Sequence, residues 1–184
     1  INVVNEGNIT LGKGAAGIYI APETANASNA TVVNSGNITI GDSTFNSGGS
    51  VESTSVGIFV KNKTNLTTSG DITVGKNSVG LATREGNITT GPSTKFNIGQ
   101  ESTYIYTEKG SAVNNATLNV SKYSVAMYTK EGSMQNKGNI KVGESILDPT
   151  DDSKSFYSIG IAGDKGVRIN SNAGGNITLK GNNG

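Results

Sequence analysis

The unit Gly-Asn-Ile-Thr-aliphatic-Gly recurs along the whole chain, and the spacing of its copies leaves few folds open. It reads Gly7–Gly12 and Gly36–Gly41, and with one change Gly70–Gly75. Degenerate copies stand at Thr94–Gly99, Ala116–Ser121, Gly138–Gly143 and Gly175–Lys180. The first apolar residue of the seven copies is Ile9, Ile38, Ile72, Phe96, Leu118, Ile140 and Ile177. A second unit, Ser-Val-Gly-Ile-Tyr in ideal form, follows six of them, centred on Ile18, Ile58, Leu81, Ile105, Met127 and Ile161. Four of these centres lie nine residues after the first unit, and two lie 20 or 21 residues after it. The minimal period is 22 residues. Self-similarity at such a period is the mark of a solenoid.

Both units alternate apolar and polar residues, the pattern of a half-buried strand. In Asn8-Ile9-Thr10-Leu11 the isoleucine and leucine point one way and the polar pair the other; in the second unit Val56, Ile58 and Val60 form the expected inward set. A third, weaker strand is expected near Val32-Val33, Val113 and Met134. Strands of four to six residues, three per coil, predict an all-β parallel β-helix of about seven coils. A helical repeat needs 30 or more residues with a 3.6 period, and the chain has only six leucines.

The columns implied by this register are chemically coherent. Two residues ahead of the first unit stand Asn5, Asn34, Thr68, Asn114 and Asn136, a set able to bond from coil to coil as a polar ladder. After the second unit the corners read Arg84-Glu85, Glu108-Lys109, Lys130-Glu131 and Asp164-Lys165. Each residue then faces an opposite charge in the neighbouring coil, about 4.8 Å away.

Composition narrows the chemistry. Gly (26), Asn (23), Ser (20) and Thr (20) fill nearly half of the 184 residues, and hydrophobics reach only 33%. There is no His, Cys or Trp, which excludes Cys/His zinc sites, Ser–His and Cys–His nucleophile pairs and disulfides. A net charge of +1 supplies no field for nucleic acid. No cofactor, metal ligand or catalytic residue is expected. No apolar run approaches a membrane span, and the N-terminal residues lack the pattern of a signal peptide. The chain is expected to be one segment, 1–184, of a longer repetitive protein.

The GNIT-aliphatic-G unit, the SVGI-aromatic unit that follows it and the KEG and REG corners together resemble the passenger regions of fusobacterial type V autotransporter adhesins, the RadD-like large surface proteins. The resemblance spans Asn2 to Gly181. It implies a right-handed parallel β-helix exported to the cell surface and anchored in the outer membrane through a C-terminal barrel that this sequence lacks. It implies a role in virulence or attachment, with a protein or glycan receptor on a host cell or another bacterium as partner. It carries over no catalytic motif.

Three features are candidates for contact. One past the second-unit centre, outward by alternation, stand Tyr19, Phe59, Ala82, Tyr106, Tyr128 and Ala162, with Tyr104 expected on the same face as Tyr106. Asp148, Asp151 and Asp152 form the only dense acidic cluster, suited either to weak calcium binding or to a solvated turn. Insertions at 21–29, 42–54 and 146–157 interrupt the repeat, and the last two leave from one corner. They are expected to wall a recess floored by short-connection coils, with Tyr104, Tyr106 and Tyr128 as contact surface. Two other functions stay open: a stalk with no ligand of its own, and a carbohydrate-active β-helix enzyme. Ten Asn-x-Ser/Thr sequons are read as products of the repeat.

Overall fold

The computed structural model describes residues 2–21, 30–120, 122–164, 167–171 and 174–179. The chain winds as a parallel β-helix with three faces, which among the described residues carry seven, six and seven strands. The first face carries the GNIT units, from Ile9–Leu11 to Asn176–Leu179. The second carries the SVGI units, from Ala16–Ile20 to Ile159–Gly163. The third carries the weaker strands, from Asn2–Asn5 to Arg168–Ser171. Among the described residues the helical structure is one 3₁₀ turn, Asp152–Lys154. None of their helices is long and apolar enough to cross a membrane.

The register is the one the repeat dictates. Ile9 pairs with Ile38, Ile38 with Ile72, and Ile72 with Phe96. Leu118 pairs with Ile140, and Ile140 with Ile177. The second-unit centres Ile18, Ile58, Leu81, Ile105, Met127 and Ile161 form one unbroken column. A slip of one residue would send each aliphatic column to solvent, so burial fixes this pairing. Burial weakens at the ends, where Ile9 is half-buried and Ile177 exposed because each end coil has one neighbour.

A core so poor in apolar residues holds together because its polar positions bond along the rod axis. Asn5 Nδ2 donates to Asn34 Oδ1 at 2.7 Å, and Asn34 Nδ2 to Thr68 Oγ1 at 3.0 Å. Thr90 Oγ1 donates to Asn114 Oδ1 at 2.8 Å, and Asn114 Nδ2 to Asn136 Oδ1 at 3.0 Å. A second ladder runs through the serines of the second unit, with Ser78 N donating to Ser102 Oγ at 3.0 Å and Ser102 N to Ser124 Oγ at 3.2 Å. Among the described residues no buried side-chain nitrogen or oxygen lacks a partner, which is what a buried polar column requires.

The corners explain the other recurring residues. A Cβ on Gly110 would sit 1.9 Å from the Gly86 carbonyl oxygen, so stacked backbones touch where the Lys-Gly and Glu-Gly corners turn. The nine-residue connection needs a left-handed residue five positions after the first-unit apolar residue. Gly14, Asn77, Glu101 and Tyr123 fill it, with φ of 64°, 54°, 55° and 63°.

Two expectations about strand faces need correction. In the second-face strands the residue before the centre also points inward. At Gly57 an added Cβ would lie 2.9 Å from Ile72 Cγ2, whereas Val56 is half-exposed. The pairing skips this position: Val79 pairs with Thr103 and Leu81 with Ile105, with no Gly80–Tyr104 pair between them. The strand therefore bends there, and alternation does not carry across the bend. The first face, moreover, is not continuous. It splits into a four-stranded sheet ending at Phe96–Ile98 and a three-stranded one starting at Leu118–Val120.

The insertion at 42–54 forms a small antiparallel hairpin, Thr44–Phe45 with Val51–Ser53. It is fastened to the first coil through Ser53 Oγ, which donates to Gly14 O at 2.8 Å. The insertion at 146–157 closes on an antiparallel bridge between Ile146 and Phe156. Phe156 packs on Tyr123 of the fifth coil, with ring centroids 5.3 Å apart. Both leave the same corner, between first and second faces, on the second and sixth coils. Residues 22–29, nearly all of the 21–29 insertion, lie outside the described residues.

Candidate functional site

Of the three tyrosines expected on one outward face, two share it. Tyr106 and Tyr128 occupy one register position on the second face and stack with centroids 5.7 Å apart and planes 6° apart. The Tyr128 hydroxyl donates to Asp164 Oδ1. That bond holds the phenol proton and raises the Tyr128 pKa; partial burial, with Glu108 and Asp164 nearby, raises that of Tyr106. Both remain neutral donors at physiological pH. Tyr19 and Phe59 form a second stack in the same column, 5.1 Å apart, and Ala82 separates the two pairs.

Tyr104 is not on this surface. It is 1% exposed, because the bend before the strand centre turns it inward. Its position in the other coils is held by Gly17, Gly57, Gly80, Ala126 and Gly160, whose side of the strand faces the first-face aliphatics. A phenol at that point has no room inside a closed coil. It stacks on Phe96, with ring centroids 5.9 Å apart, and its hydroxyl reaches Asn119 O on the next coil. By the register of the closed rungs, Asn119 O is the carbonyl that the Ile98 N–H would take. The tyrosine therefore stands where the first face splits, with its hydroxyl on a carbonyl that pairing would use.

The split opens a slit between Phe96–Ile98 and Leu118–Val120. Two adjoining cavities of ≈ 490 Å³ and ≈ 420 Å³ share Phe96, Asn97 and Asn119. One extends to the Pro92–Lys95 corner and Thr117, the other to Gly99 and Tyr104. No motif marks this site. Its sequence signal is a tyrosine in a column of glycine and alanine, in the same coil as the only aromatic residue of the first-unit column.

The acidic cluster is occupied by its own loop. Asp148 Oδ1 accepts from Thr150 N, Thr150 Oγ1 and Asp151 N at 2.9, 2.8 and 3.0 Å. Asp151 Oδ1 accepts from Ser153 N, and Lys154 Nζ lies 3.2 Å from its Oδ2. Asp152 Oδ1 accepts from the Tyr157 hydroxyl at 2.7 Å. The donors from Thr150 lower the Asp148 pKa below 3.8, and the Ser153 hydroxyl does so for Asp151. The three carboxylates are turn formers here, and among the described residues no group of three acidic, His or Cys side chains is arranged to hold a metal.

The alternating corner charges form two ion pairs, Arg84 Nε–Glu108 Oε2 at 3.4 Å and Lys109 Nζ–Glu131 Oε2 at 3.7 Å. Asp164 bonds Tyr128 instead of closing on Lys130. Lys165 lies outside the described residues. The stacked Tyr106 and Tyr128 lie on the second face, and Tyr104, expected beside them, is buried. Comparison of the chain with protein-family models, with curated proteins and with solved structures finds no match to any of the three.

Proposed function

We propose that this chain is a segment of a surface-exposed adhesin passenger, a β-helical rod that displays side loops for attachment to host cells or other bacteria. Its partner is a protein or glycan on the opposing surface, and its anchor is an outer-membrane barrel outside this sequence. The observation that favours this reading is the pair of same-corner insertions, whose exposed apolar side chains include Phe45, Val51, Ile146, Leu147 and Phe156. A regular rod does not need these loops to close its coils, because the nine-residue connection closes four of them. Loops released from the repeat are where a scaffold carries recognition. Catalysis has no part in this reading.

The test is attachment of beads coated with the purified chain to epithelial cells and to bacterial partners. The second sample is a variant in which 42–54 and 146–157 are each shortened to the nine-residue connection. Attachment by the first and not the second is the expected result. The stalk reading is favoured by one observation, the engagement of the Tyr128 hydroxyl by Asp164 within the rod. It wins if neither sample attaches.

A further inference from the structure

We propose that the slit between Phe96–Ile98 and Leu118–Val120 is a binding site for an acidic sugar. In every other first-face rung the strand edges satisfy each other; Ile72 N, one coil earlier, donates to Lys95 O at 2.9 Å. By the same register the Phe96 and Ile98 N–H groups point toward the fifth coil, where the sheet has ended. The Thr117 carbonyl and the Asn119 N–H face them from the other side. Donors and acceptors thus line both walls with one rung missing between them.

A sugar edge fits this arrangement for a chemical reason. A hydroxyl group accepts and donates at one atom, so a single hydroxyl bridges an N–H on one wall to a C=O on the other. A peptide strand offers the same groups, but it needs a full rung in the sheet plane, and Tyr104 fills the inner side of that plane. The exposed Asn97 and Asn119 line the cavity from equivalent positions on the two coils, with Asn97 Nδ2 donating to Thr73 Oγ1 at 3.4 Å, and Ser93 adds a hydroxyl at the corner. Lys95 lines the same cavity, which has no carboxylate in its wall, and forms no ion pair among the described residues. A cation beside a row of amides and hydroxyls selects a ring bearing a carboxylate.

The site deepens the adhesin reading by naming a ligand class, but its chemistry does not depend on the loops. The probe is a uronic-acid tetrasaccharide, with its carboxyl-reduced neutral counterpart as control, titrated by calorimetry or NMR against the whole chain. The expected result is binding of the uronate at least fivefold tighter than the neutral form, with the preference abolished in Lys95→Gln. Tyr104→Gly restores the residue of neighbouring coils, lets the rung close, and should reduce binding at least tenfold. Should Tyr104→Gly fold poorly, Asn97→Ala with Asn119→Ala, at two exposed positions, is expected to cut binding at least fivefold. The site is wrong if wild type binds neither sugar at millimolar concentration, or if Tyr104→Gly or the double variant binds as wild type does. Cell attachment that persists without sugar binding overturns this site and leaves the adhesin reading standing.

Discussion

Replacing Asn114 by alanine should be among the most damaging single changes to this rod, although it removes no apolar surface. The side chain is fully buried and engages four groups. Its Oδ1 accepts from Thr90 Oγ1 at 2.8 Å and from Ala116 N at 3.1 Å. Its Nδ2 donates to Ala116 O at 2.9 Å and to Asn136 Oδ1 at 3.0 Å. Each net hydrogen bond is worth about 1 kcal/mol, and each buried group left unpaired costs about 1–3 kcal/mol. Thr90 Oγ1 keeps the bond it accepts from Asn115 N at 3.0 Å, so losing its acceptor does not strip it of every partner. The loss should be about 3–5 kcal/mol. Asn114→Thr should cost about half as much, because threonine fills the same column at Thr68 and Thr90. Asn5→Ala removes the exposed end of the ladder, with one bond to Asn34 and one to the Gly7 carbonyl, and should cost about 1 kcal/mol. Urea denaturation followed by circular dichroism gives all three values. Equal midpoint shifts for Asn114→Ala and Asn5→Ala would refute the claim that the polar column holds the coils together.

Leu118→Asp places an unpaired charge between coils and should cost several kcal/mol, about 4 or more, whereas Thr10→Asp on the exposed face should stay within about 0.5 kcal/mol; equal losses of melting temperature would show the strand faces to be misassigned. Glu101→Gly relieves a left-handed residue that costs about 1 kcal/mol, so the variant should melt no lower than wild type despite its looser unfolded chain, and a clear drop in midpoint would contradict that geometry. Asp148 and Asp151 have folded pKa values below the ordinary 3.8, so their turn is held above that value and released as the pH falls through the folded pKa; carbon-detected NMR titration should place both midpoints below 3.8, and midpoints at or above it would mean the turn does not hold their charged forms.

Much of this structure is written in the sequence because a solenoid repeats its constraints. Copies of one unit fix the register again and again, so the Ile9–Phe96 and Leu118–Ile177 stretches of the first column, and the asparagines of the polar ladder, could be read without coordinates; the break between Phe96 and Leu118 and the place of Thr90 in the ladder could not. The charge alternation marked the right neighbours, but exposed side chains have other options, and Asp164 took Tyr128. Tyr104 was misread for a local reason. Alternation holds along a straight strand, and the second-face strands bend just before Ile105, where most coils keep a glycine. The same bend hid the slit, whose sole trace is one tyrosine among glycines. The turn at 148–152 is set by side chain to backbone bonds within a few residues, which no repeat advertises.

The most direct measurement of the account is amide hydrogen exchange at Ile98, compared with Val74 and Val142 at the same position in other coils. In an in-register β-helix opened by Tyr104, the Val74 and Val142 amides are protected by their neighbours, whereas the Ile98 amide faces the slit and exchanges at least a hundredfold faster. In Tyr104→Gly the Ile98 amide should become as protected as theirs. Strong protection of Ile98 in the wild-type chain, or no gain of protection in the variant, would contradict it.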